Sequence, residues 1–391
     1  MNVYIELSQH IGDPCTPIVE AGDSVLRGQL IATPNGMGVN IHASVSGVVL
    51  EVTKKQIIIK KADKECDEFV KIPTELSHLE AIEHAGIVGA GGAGFPAHVK
   101  YATRIEGGIV IANAVECEPV LVHNVKLMEL QPELIVRGLQ YLIKLSGAKQ
   151  GYIAMKLKDR KAVLALGKVC KNEPNIDVKF VSDMYPAGDE RVVIRELLGV
   201  ELQPGELPSS ANALVSNVET IKNIVNAIEH RKPCIDKDLT VAGRVQSGVK
   251  VFMNQPIGIP VGYYIDQCGG YVRPYGEIVI GGPFTGLSIS GSEDTPLTKI
   301  TGGILVAMPF PQERGKVGLL ACECGGGEDR LGEIAEAMGA NVVASEMCKR
   351  MVEHNGRYRC DLPGICPGQT DKILKMKKSG AEAVIIGSCE P

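Results

Sequence analysis

Apolar positions along the chain fall into distinct patterns. Up to about residue 72 they come in short runs broken by turn residues, as in VEAGDSVLRGQLIA (Val19–Ala32) and HASVSGVVLEV (His42–Val52). Such runs predict short strands with turns between them. From 73 to about 232, helical spacing alternates with brief apolar runs. Strands are expected at Ile109–Ala112, Gly151–Met155 and Val178–Val181. Helices are expected at Glu75–Ala85, Pro132–Leu145, Arg160–Lys171, Glu190–Leu198 and Asn217–His230. This alternation predicts an α/β unit on a parallel sheet. Ligands of such sheets sit beyond the carboxyl ends of the strands. Proline and glycine punctuate Gly281–Thr301, which reads as a loop. From Lys316 a second α/β pattern begins: strands ending in Cys322 and Cys389, another at Asn341–Ser345, and helices at Glu328–Met338 and after Cys366.

A chain of 391 residues holds two to four domains. Its apolar and charged shares, 45% and 22%, are those of a globular protein. The net charge of −5 and the lack of any basic run exclude nucleic acid as a partner, because phosphate backbones need a concentrated positive face. MNVYIELSQH lacks the layout of a signal peptide. No stretch reaches the roughly 18 apolar residues of a membrane span. A cytoplasmic protein is expected, with peripheral docking on a membrane complex left open.

The candidate chemistry begins at GIVGAGGAGFPAHVKY, residues 86–101. Gly89, Gly91 and Gly94 satisfy G-x-G-x-x-G. The dinucleotide fingerprint, however, sits between a strand and a helix. Here a helix precedes it and Pro96 follows the last glycine, which excludes an ordinary Rossmann turn. Two readings remain: a structural glycine loop, or a phosphate cradle of backbone N–H groups.

Three further stretches bear on that choice: NAVECEP (Asn113–Pro119), YPAGDER (Tyr185–Arg191) and SNVET (Ser216–Thr220). With GAGGAGFP, in this order and spacing, they resemble the flavin- and NADH-binding core shared by the RnfC proteins of Rnf complexes and the NuoF-type flavin proteins of respiratory NADH dehydrogenase. The Rnf type is the closer, since it too has tyrosine-proline, glycine and glutamate in the third motif. Within it the chain is most similar to the proline reductase-associated RnfC-like electron-transfer proteins (PrdC). The resemblance covers roughly residues 1–310. It implies a multidomain α/β protein: a barrel-sandwich hybrid over 1–72, an FMN/NADH-binding α/β domain over 73–232, an SLBB β-grasp module over 233–283, and a linker or return loop over 284–315. A Cys-rich α/β module over 316–391 lies beyond it. The barrel-sandwich fold is that of biotinyl and lipoyl carriers, but the hairpin tip Thr33–Gly38 has no lysine to modify.

The resemblance also implies roles. N–H groups of Gly89, Gly91, Gly92 and Gly94 would hold the FMN phosphate, with Lys100 adding positive charge. Asn113 and Glu116 would bond the ribityl chain or the ring edge. Glu118 would contact the nicotinamide nucleotide and Phe95 would stack on one of its rings. Gly188, Asp189, Glu190 and Asn217 would close the site. Two positions depart from the respiratory enzyme: Ala90 replaces an arginine and Val115 an aspartate. Cys117, inside the acidic motif, reads as a small buried residue.

Of the twelve cysteines, Cys322, Cys324, Cys348, Cys360, Cys366 and Cys389 crowd the last module, where clustering points to metal or redox work. The ferredoxin motifs of the RnfC proteins are absent. The pattern is instead similar to the amino-terminal domain of the HdrA-type proteins of heterodisulfide reductase, which implies Cys322, Cys324, Cys366 and Cys389 as [4Fe–4S] ligands. A four-cysteine zinc site and a dithiol–disulfide site are the alternatives, the latter with Cys389 as a reacting group. The apolar strand ending at Ser388-Cys389-Glu390-Pro391 suggests a natural chain that continues with a selenocysteine or cysteine paired with Cys389. The function expected is electron transfer from NADH through FMN to the Cys-rich module and on to a partner reductase, proline reductase by the resemblance. The rival reading is a flavin-free RnfC-like scaffold that docks a redox complex.

Overall fold

The computed structural model describes residues 1–63, 67–289 and 291–387. Cys66 and Cys389 lie outside them. The first strands form two small antiparallel sheets. One runs in the order Asn2–Glu6, Gln56–Lys61, Gly47–Val52, Ser24–Val25. Its register sets Val3 against Ile59 and Ile5 against Ile57. These side chains are fully buried, as a period of two with one covered face requires.

The central sheet is parallel, in the order Ile176–Val181, Gln150–Lys156, Ile109–Asn113, Ala213–Asn217. Both faces are covered. Val110 and Ala112 pack into one core with helices Pro132–Ser146 and Val218–His230. Ile111 packs into a second core with Val193 and Ile194 of helix Glu190–Leu198. Strands buried on both faces read as continuous apolar runs, which is why this one is visible in the sequence. Pro132 opens its helix, where a missing N–H costs nothing, and Gly147 closes it at φ 74°. A Cβ at Gly138 would overlap Ile221, so the two long helices touch through that glycine.

A third, five-stranded sheet runs in the order Lys250–Pro256, Asp236–Gly243, Gly303–Val306, Ile278–Ile280, Leu287–Ser288. The expected return loop over 284–315 therefore needs correction. Gly303–Val306 is a central strand, parallel to Asp236–Gly243, and Leu287–Ser288 pairs with Ile278–Ile280. The separate first and third units share one core: Val3 and Ile5 pack in the same cluster as Leu239, Ile304 and Val306.

The last unit has a parallel sheet in the order Asn341–Met347, Lys316–Ala321, Ala383–Ile386, with helices Glu328–Met338 and Thr370–Lys378. A hairpin of Met351–His354 and Arg357–Cys360 projects from it. No helix among the described residues is long and apolar enough to cross a membrane.

Candidate functional site

The glycine loop meets the carboxyl edge of the central sheet. Its start is pinned: Gly89 N–H donates to Phe95 O at 2.9 Å, and Ala90 N–H to Thr220 Oγ1 at 2.9 Å. Gly94 then turns at φ +75°, with the backbone of Gln9 and His10 close by. A Cβ at Gly91 would lie 2.7 Å from Asn217 Nδ2. None of the described hydrogen bonds takes up the N–H groups of Gly91, Gly92 or Gly94. They remain available to an anion.

A cavity of about 620 Å³ opens between this loop and the strand ends, which is the size of a cofactor pocket. It is lined by Gly89, Gly91, Gly92, Gly94, Phe95, Lys100, Asn113, Gly188, Asp189, Glu190 and Asn217. Asn113 Nδ2 donates to Gly188 O at 2.9 Å and its Oδ1 accepts from Val115 N–H. Asp189 and Asn217 cap the helices that follow them, by accepting from Arg191 and Glu219 N–H at 2.8 Å. Burial raises the Asp189 carboxyl above its usual range, against the pull of its N–H partners. Lys100 is paired with Glu190 at 2.8 Å. Its charge is thus paired within the wall, whereas the glycine N–H groups are open. Tyr101 also lines the wall, fully buried. Its hydroxyl lies near Ser216 without a hydrogen bond of ordinary length. Open N–H groups along the wall of one FMN-sized cavity fit a phosphate-bearing ligand.

Residues 82–226 match the family model of the Nuo51 FMN-binding domain, and residues 1–70 match the RnfC barrel sandwich hybrid domain. The RnfC-type component of the Na(+)-translocating ferredoxin:NAD(+) oxidoreductase complex of Acetobacterium woodii is 35% identical over 322 residues, spanning 78% of this chain and 72% of that protein. The chain belongs to the RnfC family. Cobalamin reductase PduS of Salmonella typhimurium is 41% identical over 227 residues, but these are 58% of this chain and 49% of that one. The NAD+-reducing [NiFe]-hydrogenase in the air-oxidized state shares the fold, with TM-score 0.50 and 20% identity over 59% of this chain and 46% of that one. The RnfC-type chain thus carries an FMN-binding domain and is an oxidoreductase-family electron-transfer protein of the kind found in redox complexes.

Two expected ligands stand elsewhere. Glu118 does not line the cavity. Its carboxylate accepts from Phe284 and Thr285 N–H at 3.0 Å and from the Thr285 hydroxyl, which fastens the third sheet's turn to the central domain. Glu116 lies outside the cavity wall, with Asn124 Nδ2 donating to it at 3.2 Å. Burial pushes its carboxyl up to about 7. The sequence reading missed Tyr101, Thr103, Leu207, Pro208, Ser209 and Thr220 as wall residues. Thr220 sits inside the quoted SNVET, whereas Leu207–Ser209 belong to no motif.

In the last unit, Cys322 and Cys324 come together, but Cys366 is exposed. Cys348 and Cys360 join instead, by thiol contacts to Cys322 and Cys324 respectively. The bond from the Cys324 thiol lowers the Cys322 thiol to about 6 and raises Cys324 in turn. Among the described residues no group of three or more His, Cys, Asp or Glu could hold a metal ion. Of the expected set Cys322, Cys324, Cys366 and Cys389, the described residues bring the first two together, while Cys366 is exposed and Cys389 lies outside them.

Proposed function

We propose that the chain is an NADH-dependent flavin electron-transfer protein that passes electrons from its FMN site to the Cys-rich module and on to a partner reductase. The observation that carries this is the cavity, whose wall gathers every expected cofactor residue except Glu116 and Glu118 at the carboxyl edge of the parallel sheet. When bound, FMN supplies a two-electron acceptor for hydride. The N–H groups of Gly91, Gly92 and Gly94 hold its phosphate. Asn113 and Asn217, fixed by their own backbone bonds, orient its polar edge. The exposed face of Phe95 receives a ring of the nicotinamide nucleotide. The third sheet with helix Val261–Gln267 serves as the SLBB module, structural or interfacial, and the resemblance to the PrdC type nominates proline reductase as the partner.

Gly92→Val tests this. A Cβ at Gly92 meets no protein atom within 4 Å, so the variant should keep its circular dichroism and melting temperature. It should lose flavin, because the added side chain takes ligand space. NADH should bleach the flavin of the parent protein and NADPH should be at least about tenfold slower, since no lysine or arginine stands in NAVECEP to take a 2′-phosphate. A variant that retains stoichiometric FMN would sink the placement of the site, and equal rates with both nucleotides would sink the donor.

A further inference from the structure

The register that aligns Ala321 with Met347 on neighbouring parallel strands brings Cys322 beside Cys348 one residue further on. Cys348 N–H donates to Ala321 O at 2.9 Å, so the ladder is still closed at that point. Adjacent strands lie about 4.8 Å apart, within the Cα separation that a disulfide spans. The Cys322 thiol contacts those of Cys348 and Cys324, and Cys324 also contacts Cys360. All are free thiols. Cys322, Cys348 and Cys360 are buried, and Cys324 is the half-exposed one.

The cluster is fastened to the rim of the cavity. Gly188, Asp189 and Glu190 line that cavity. On either side of them, the Tyr185 hydroxyl donates to Cys324 O, and Arg191 donates to Cys360 O at 2.7 Å and to Asp361 O at 2.6 Å. A single loop thus has one side on the cofactor pocket and the other on the thiols.

We propose that Cys322 and Cys348 form a reversible disulfide and that, with Cys324 as the entry thiol, they make this module a two-electron relay acting on a disulfide substrate. The proposal rests on the flavin electron-transfer reading for its source of electrons. Cys324 gives its proton to the neighbouring Cys322 thiolate as its sulfur attacks a substrate sulfur, forms a mixed disulfide and expels one substrate thiolate, which takes up that proton from Cys322. Cys322 attacks the Cys324 sulfur and expels the second. Cys348 then attacks Cys322, releases Cys324 and leaves the Cys322–Cys348 bond. The sum is one substrate disulfide plus two protein thiols giving two substrate thiols plus one protein disulfide. The relay is reset when that disulfide takes two electrons and two protons from dihydroflavin, which is oxidised. Each transfer follows a contact already present, from Cys324 to Cys322 to Cys348, and exchange proceeds by attack of one sulfur on the next.

The full flavin-loaded chain, purified anaerobically, is poised in dithiothreitol redox buffers, alkylated, digested and mapped by mass spectrometry. A Cys322–Cys348 linked peptide should appear in one two-electron step and disappear after photoreduction of the bound flavin. Cys348→Ser should abolish the link, and Cys170→Ser should keep it. Thiols that stay unlinked throughout would overturn the proposal. So would stoichiometric iron or zinc shielding them from alkylation, or a link that survives flavin photoreduction. Flavin absorbance of the same sample reports separately on the parent reading: flavin-free protein fails that reading, and flavin-loaded protein without the link fails this one.

Discussion

Tyr101 shows how a single buried residue carries a cost. A buried hydroxyl without a partner costs about 1–3 kcal/mol, and Tyr101 carries one in the cavity wall. A structural role for the ring alone would be served better by phenylalanine. Tyr101→Phe should therefore leave the flavin-free protein as stable or more stable in denaturant titration. Flavin affinity should stay within about twofold, because the hydroxyl itself has no surface on the cavity. An affinity lowered about tenfold would show that the hydroxyl turns to the ligand on binding. At this scale the sequence was informative where a residue stood inside a motif: Asn113, Gly188 and Asn217 all line the one cavity. It misled at Glu118. An acidic motif looks the same whether its carboxylate turns to a ligand or to a neighbouring backbone, and only the tertiary position of Phe284 and Thr285 decides between the two.

At the scale of elements, legibility follows how locally each element is determined. Helix Glu328–Met338 and strand Ile109–Asn113 carry their own periodicity, so both are visible in the sequence. Gly303–Val306 is a central strand only because Asp236–Gly243 and Ile278–Ile280, far away in the chain, lie on either side. Four residues between Gly302 and the apolar run Ala307–Phe310 have no period of their own to mark them. The hairpin that ends at Cys360 was likewise unmarked. Its docking is clear in the structure: Arg191 of helix Glu190–Leu198 holds the carbonyls of Leu202, Cys360 and Asp361, and Arg195 donates to Pro363 O at 2.8 Å. Arg191→Ala removes charge-assisted bonds worth about 1.5–3 kcal/mol each before compensation by water. The variant should keep its flavin-binding cavity but release the hairpin, with faster limited proteolysis between 307 and 315 and at the 351–360 hairpin. Cleavage rates equal to those of the parent would show that the interface depends on other contacts.

At the scale of the whole molecule, the question is what joins the central domain to the third sheet. Helix Val218–His230 is buried along most of its length and carries charges into that interface. Lys222 pairs with Asp238 at 2.6 Å and donates to Asn254 Oδ1 at 3.0 Å. Lys237 pairs with Glu219, whose other oxygen accepts from Asp238 N–H at 2.7 Å. All four charged side chains are almost fully buried. Desolvation offsets much of the attraction within such a pair, but removing one partner leaves a charge without water and costs about 3–5 kcal/mol. The pairs therefore set the relative position of two units more than they stabilise either one. Lys237→Met should lower the unfolding free energy by about 3–5 kcal/mol. Adding Glu219→Gln should restore most of it, because the amide oxygen still accepts from Asp238 N–H while the stranded charge is gone. Denaturant titrations of the parent and both variants decide the matter. A loss below about 1 kcal/mol in the single variant would mean that the pair is solvated. A double variant no more stable than the single would mean that the lysine acts by packing rather than by charge.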